Sequence, residues 1–277
     1  MSSIVFGLIA AITWGAADFA GGLASRKSNP YQVVTFTWLL GLVIMPVLAL
    51  ISREPMMPLS GWLWCAAAGA FGIIGILLLY QSLTEGAMSI SISVSAVIAA
   101  ALPVFAGLFL EGTPKLARLL GFGLALLAVW LVSWGDGKGD RLRMRLLWKP
   151  LLAGVGFGCY FILVNLGSQE HVFWPMVATR ILGALMMLVY MTAGKRSIAP
   201  PKHVIPLVLL NFVSDSIGTI SFILAGQSGR MDVASVLGSL YPGITILLAG
   251  WLLHEHLKLM QWVGVGLALG AIALLSI

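Results

Sequence analysis

The sequence predicts an all-α integral membrane protein: ten transmembrane helices in two inverted five-helix repeats. Three observations predict this class: scarce charge, ten apolar runs of spanning length, and a self-match between the two halves. Of the 277 residues, 60% are hydrophobic and 9% charged, and the mean hydropathy is +1.01. Soluble domains carry about 25% charged residues, so a water-soluble globule of this length could not cover its surface. A fibrous chain is excluded because the 32 glycines follow no three-residue period. The net charge of +6 does not indicate nucleic acid, because the basic residues lie in short loops between apolar runs. They read as topology signals and contacts to anionic lipid, which makes the lipid bilayer the first expected partner. Cys65 and Cys159 lie inside apolar runs without a CxxC partner and read as small packing residues. The first run lacks a basic leader and is too long for a secretory signal, so it is taken as an uncleaved span.

A transmembrane helix needs roughly 20 predominantly apolar residues to cross about 30 Å of hydrocarbon. The first five runs that meet this are Ile4–Ala24, Gln32–Ile51, Gly61–Leu83, Ala87–Leu110 and Leu116–Trp134. The second five are Trp148–Gly167, Val172–Ala193, Val204–Ala225, Asp232–Leu253 and Lys258–Ile277. Turn-forming residues separate them: Ser28-Asn29-Pro30, Pro55 to Pro58, Gly135 to Gly139 and Pro200-Pro201. The short alternating segments of a membrane β-barrel are absent. No connector is long enough for a soluble domain, so the chain divides into a first repeat (1–135), a basic connector (136–147) and a second repeat (148–277). The expected location is the cell (inner) membrane, with multiple passes.

The repeat comes from comparing the chain with itself. Leu116–Ser133 shifted by 143 residues falls on Leu259–Ser276, with identities at Leu116, Gly121, Gly123, Leu124, Ala125, Leu126, Ala128, Leu131 and Ser133. Five spans per half is an odd number, so the second half enters the membrane from the opposite side. Inverted repeats recur in transporters, because two similar halves can rock to expose a midplane site to either side in turn. Enzymes and scaffolds have less need of that arrangement. The sequence also lacks a nucleophile–base set, an HExxH motif or a P-loop, which leaves protease and ATP-driven pump unsupported.

Several stretches resemble the drug/metabolite transporter superfamily, specifically its ten-span EamA-type permeases. Thr13-Trp14-Gly15-Ala16-Ala17-Asp18-Phe19 is similar to that family's opening tryptophan–glycine helix, and Gly21-Gly22-Leu23-Ala24-Ser25-Arg26-Lys27 fits a subgroup. In the ninth run, Ser239-Leu240-Tyr241-Pro242 followed by Leu253-His254-Glu255-His256-Leu257 resembles the family's S-L-x-P … L-x-E-x-L signature. Ala101-Leu102-Pro103 and Leu110-Glu111-Gly112 are the related piece of the fourth run, departing from the usual Gly-Glu order. The resemblance implies a permease for a small solute and leaves the substrate open.

Ionisable side chains inside hydrocarbon cost roughly 2.5–3.5 kcal/mol on insertion scales, so each needs a reason. Asp18, Arg180 and Asp215 are the three that lie well inside a run, and none has a charged counterpart in the other half. Asp18 stands one helical turn after Trp14 on the same face. It is a candidate to bind an amine or to carry a proton as coupling ion, the alternative being a structural hydrogen bond. Asp215 lies in a polar stretch with Asn211, Ser214, Ser216 and Thr219, as expected for a cavity wall. Arg180 can neutralise Asp215 or hold a substrate carboxylate with its planar fork. Ser91 and Ser95 share a helix face, and Tyr80, Tyr160 and Tyr241 offer aromatic walls with a hydroxyl. Serines also simply allow close packing in membranes. Pro103 and Pro242 each remove a backbone donor within a run, as the broken helices of transporters do.

Gly154-x-x-x-Gly158 and Gly266-x-x-x-Gly270 read as close helix contacts within the chain, with a homodimer as the alternative. His254-Glu255-His256 is not read as a metal site, because residues i and i+2 on a helix point about 200° apart. Neither cofactor nor metal is expected. With the N-terminus inside, cytoplasmic loops would hold Arg53, Lys115, Arg118 and Arg230 against eleven basic residues opposite. The count therefore favours both termini outside, whereas the resemblance implies cytoplasmic termini. The reading as a whole is a secondary-active or facilitative transporter moving a small metabolite, such as an amino acid or a drug-like amine, by alternating access. Its alternatives are a flippase for a lipid-linked or amphipathic substrate and a non-transporting structural or sensory membrane component.

Overall fold

The computed structural model describes residues 2–85, 88–110, 112–132, 148–252 and 259–275. The described residues form helices and connecting loops, with no strand. The helices of the first half are α1 (Ser2–Lys27), α2 (Pro30–Ile51), α3 (Leu59–Glu85), α4 (Met88–Leu110) and α5 (Leu116–Val132). Those of the second are α6 (Trp148–Ser168), α7 (Phe173–Ala193), α8 (Ile205–Gln227, entered through a 3-10 turn at Lys202–Val204), α9 (Met231–Gly238), α10 (Tyr241–Leu252) and α11 (Leu259–Leu275). Their ends follow local chemistry. Asn29 caps α2 by accepting the Tyr31 N–H at 3.0 Å, with Pro30 at the first helical position. Gly112 holds φ at 78°, which suits the turn between α4 and α5.

The ninth run is not one helix. It breaks at Ser239 and Leu240, between α9 and α10. Pro242 has no N–H to give the carbonyl of Gly238, and the chain tightens instead. Leu240 N donates to Leu237 O at 3.1 Å and Gly243 N to Leu240 O at 3.0 Å. Pro103 lies inside an α4 that continues through it, so only one of the two prolines expected to interrupt a helix does so.

Seven described stretches are long and apolar enough to cross a bilayer: α1, α2, the first 24 residues of α3, α6, α7, Lys202–Gln227 and Met231–Leu248. Val94–Leu110 and Leu116–Leu131 are shorter apolar helices. Large apolar side chains such as Val43, Leu50, Phe109, Trp251 and Leu259 stand on the outside, a surface suited to lipid rather than water.

The packing interleaves the two halves. α3 lies along α6 and α1 along α8; α4 meets α6 while α1 meets α9 and α10; α2 meets α7, and α5 meets α11. Exchanging each helix for its counterpart in the other half maps these pairs onto one another. The exchange is least exact where α3 packs extensively on α7 but α2 only lightly on α8. Contacts also sort the helix ends. At one end of the bundle Ser3 meets Gly229, Gly61 meets Gly167, Gln227 donates to His171 O at 2.8 Å, and Arg230 donates to Gly112 O at 2.9 Å. At the other end Gln32 donates to Ser197 O at 3.0 Å and Gln81 to the Tyr31 hydroxyl at 2.8 Å. Tyr31 there stacks on Tyr190 at 5.0 Å, and Arg196 covers both rings. α1 therefore begins at the end where α6 finishes.

Two devices hold α7 in place. Its own N-cap residue, Val172, supplies no side-chain bond. Glu54, from the α2–α3 loop, accepts the N–H groups of Val172, Phe173 and Trp174 at 2.8, 2.9 and 3.4 Å. That satisfies orphan donors and places negative charge at the positive end of the helix. Further along, Gly69 of α3 comes against the main chain of Thr179, where a Cβ would lie 2.8 Å from the Thr179 Cα. Lipid gives helices no hydrophobic reason to associate, so such close approach supplies the attraction. Gly154 and Gly158 serve α6 in the same way, against Ser95, Ile98 and Leu102 of α4.

Glu54→Ala is expected to lower unfolding stability in detergent by about 1–3 kcal/mol, the cost of leaving buried donors unmet. Gly69→Ala is expected to lower the melting temperature clearly, whereas Gly123→Ala, with no described atom within 4 Å of its added carbon, leaves it nearly unchanged. Thermal unfolding followed by circular dichroism checks all three.

Candidate functional site

A cavity of about 100 Å³ lies between the halves, several times the space one water occupies. The helical period explains which side chains reach it. Trp14 and Asp18 of α1 are four apart, as are Gly72 and Ile76 of α3 and Asp215 and Thr219 of α8; Phe157, Tyr160 and Phe161 keep the same spacing on α6. Trp38 of α2 and Arg180 of α7 complete the wall together with Tyr241, which the break in the ninth run delivers at the start of α10. Gly72 leaves room for the Tyr160 ring, 2.9 Å from where its Cβ would stand. Gly41 does the same for Arg180, whose side chain would lie 3.0–3.2 Å from a Cβ there.

Three charged groups face this space. Arg180 is 4% exposed; its Nη2 donates to Asp215 Oδ2 as an ion pair, and its guanidinium carbon sits 4.5 Å from the centre of the Trp38 ring. A buried cation with one carboxylate and one aromatic face is well compensated. Asp18 has no ion pair or hydrogen bond among the described residues. The aromatic floor is continuous: Trp14 stacks on Phe161 at 5.4 Å and tilts against Phe222 at 5.4 Å, and Phe161 meets Phe222 at 4.7 Å.

Of the residues singled out from sequence, Trp14, Asp18, Tyr160, Arg180, Asp215 and Tyr241 line the cavity. Asn211 and Tyr80 stand outside its wall and join helices instead. The Asn211 side chain accepts from Thr37 Oγ1 at 2.9 Å, donates to Ala17 O at 2.8 Å and meets the Tyr80 hydroxyl at 3.4 Å, tying α8 to α1, α2 and α3. Ser91 pairs with Ser82, and Ser95 donates to Ile92 O at 3.0 Å, so neither is among the wall residues. Glu111 and His254-Glu255-His256 fall outside the described residues. The described residues contain no group of three or more His, Cys, Asp or Glu placed to hold a metal. Sequence reasoning missed Trp38, Gly72, Ile76, Phe157 and Phe161. A signal existed for Trp38, a tryptophan inside its apolar run rather than at its end.

Comparison with known proteins agrees with this architecture. The family model of the EamA-like transporter family matches twice, over residues 1–134 and 146–277. The uncharacterized protein MJ1333.1 of Methanocaldococcus jannaschii is 26% identical over 133 residues, which is 96% of that protein but 48% of this chain. A protein of known crystal structure superposes with a TM-score of 0.81 at 16% identity, over 99% of this chain and 96% of the other, a likeness of fold. A multi-pass membrane protein built from two copies of one family unit, this chain belongs to the EamA-like transporter family.

Proposed function

We propose that this chain is a secondary-active or facilitative transporter in the cell (inner) membrane, moving a small metabolite, an amino acid or a drug-like amine, by alternating access. The carrying observation is the cavity between the halves, with Asp18, Arg180 and Asp215 on its wall. Charge at mid-helix is costly in a bilayer and marks solute or ion pathways. Ten spans in two inverted repeats are the scaffold of this reading. Three findings support it: the double family match, the exchange of packing partners between the halves, and the opposed directions of α1 and α6 at the end where Ser3 meets Gly229. The half-length relative fits an origin by duplication of one five-helix unit. The break at Ser239-Leu240 beside the cavity fits the discontinuous helices from which transporters build their sites. Protons are the candidate coupling ion, with Asp18 as their carrier.

Arg180→Ala and Asp215→Asn are each expected to abolish solute uptake in proteoliposomes while folded protein persists in detergent, because each removes one member of the ion pair on the cavity wall. Wild-type uptake by both variants removes these residues from the pathway. The same vesicles, loaded with fluorescent lipid, distinguish solute flux from lipid scrambling; scrambling without flux would replace this reading with a flippase.

A further inference from the structure

The charge balance of the cavity limits what can enter it. Asp215 is matched by Arg180, and the guanidinium is further occupied by the Trp38 face. The Nε of Arg180 has no hydrogen-bond partner, yet it lies against Gly41 of α2, 3.0 Å from where a Cβ would stand. Among the described residues no other lysine, arginine or histidine lines the cavity. Asp18 is thus left without a cation, beside Tyr241 and Trp14, and the ionised wall carries one net negative charge.

An anionic solute would meet two carboxylates and a cation already taken. A zwitterion would satisfy Asp18 with its ammonium but add a carboxylate for which no second cation stands among the described wall residues. A solute with one positive charge and no negative one completes the balance, and the π faces of Trp14, Tyr160 and Tyr241 favour the same sign. The volume sets the size. A dry cavity of about 150 Å³ holds benzene, so about 100 Å³ suits a compact body of a few carbons.

Resting on the transport reading above, we propose that Asp18 anchors a small organic monocation, a compact primary or quaternary amine, in preference to amino acids or carboxylates. Three matched solutes test it: isobutylamine, valine (the same skeleton with an added carboxylate) and isovalerate (the carboxylate in place of the amine). Calorimetric titration of the purified full chain is expected to show isobutylamine binding at least tenfold more tightly than valine and isovalerate. Tetramethylammonium, which does not leak across lipid as a free base, is expected to show saturable flux in proteoliposomes. Asp18→Asn weakens both cations at least tenfold, and Asp18→Glu retains part of the binding.

Valine or isovalerate binding as tightly as isobutylamine overturns the proposal. So does cation binding unchanged in Asp18→Asn, or no binding of either cation. Should Asp18→Asn fail to fold, the wild-type ranking of the three matched solutes decides alone. Flux of valine with no response to the cations would sink the monocation and leave transport standing. Cation binding in detergent without flux of any solute would do the reverse.

Discussion

Hydrocarbon does not push helices together, and that constraint shapes the whole molecule. Lipid tails are as apolar as leucine, so two helices gain by meeting only where their backbones come close enough for dense dispersion contacts. Gly69 on Thr179, Gly154 and Gly158 on α4, Gly61 on Gly167 and Gly183 against the Trp38 ring are such places. They bind α3 to α6 and α7, and α4 to α6, so most close contacts cross from one half to the other. Around the centre the wall is dominated by rings, those of Trp14, Trp38, Phe157, Tyr160, Phe161 and Tyr241. Bulky rings hold the helices apart there, and the space they leave is the cavity.

Within that space the scaffold and the chemistry have different symmetry. The packing maps onto itself when the halves are exchanged, yet Asp18 comes from the first half while Arg180 and Asp215 both come from the second. A doubled fold therefore carries a single, unrepeated set of charges.

The same physics explains what was legible in the sequence. Spanning length, the separation by turn residues and the self-match of α5 with α11 are properties of runs, and runs survive without any knowledge of neighbours. The three charges inside apolar runs could be found because their cost in lipid singles them out. What stayed hidden depends on which face of an apolar helix looks inward, and a helix that is apolar all round carries no stripe to say so. Phe157 and Ile76 are therefore indistinguishable from lipid-facing residues until packed. Tyr80, Asn211, Ser91 and Ser95 were polar enough to attract notice, but their partners decide their role. Asn211 spends its amide on Thr37 and Ala17, Ser91 pairs with Ser82 of α3, and Ser95 bonds within its own turn. The break in the ninth run was signalled by Pro242, although the matching Pro103 leaves its helix whole.

The Glu54 clamp has a counterpart at the opposite end of the bundle. Exchange of the halves carries the α2–α3 loop on the start of α7 onto the α7–α8 loop on the start of α2, where Arg196 and Ser197 meet Tyr31 and Gln32. The two fastenings are unlike in substance. One is a largely buried carboxylate, 10% exposed, grasping three main-chain donors. The other is a stack of rings under a guanidinium, with Tyr190 41% exposed. Any rearrangement that parts the halves strands three main-chain donors if it starts at the Glu54 end, and gives up the ring stack and the Gln32 bond to Ser197 O if it starts at the other. The two ends of the molecule are thus fastened by unlike means, and one acidic side chain makes most of the difference.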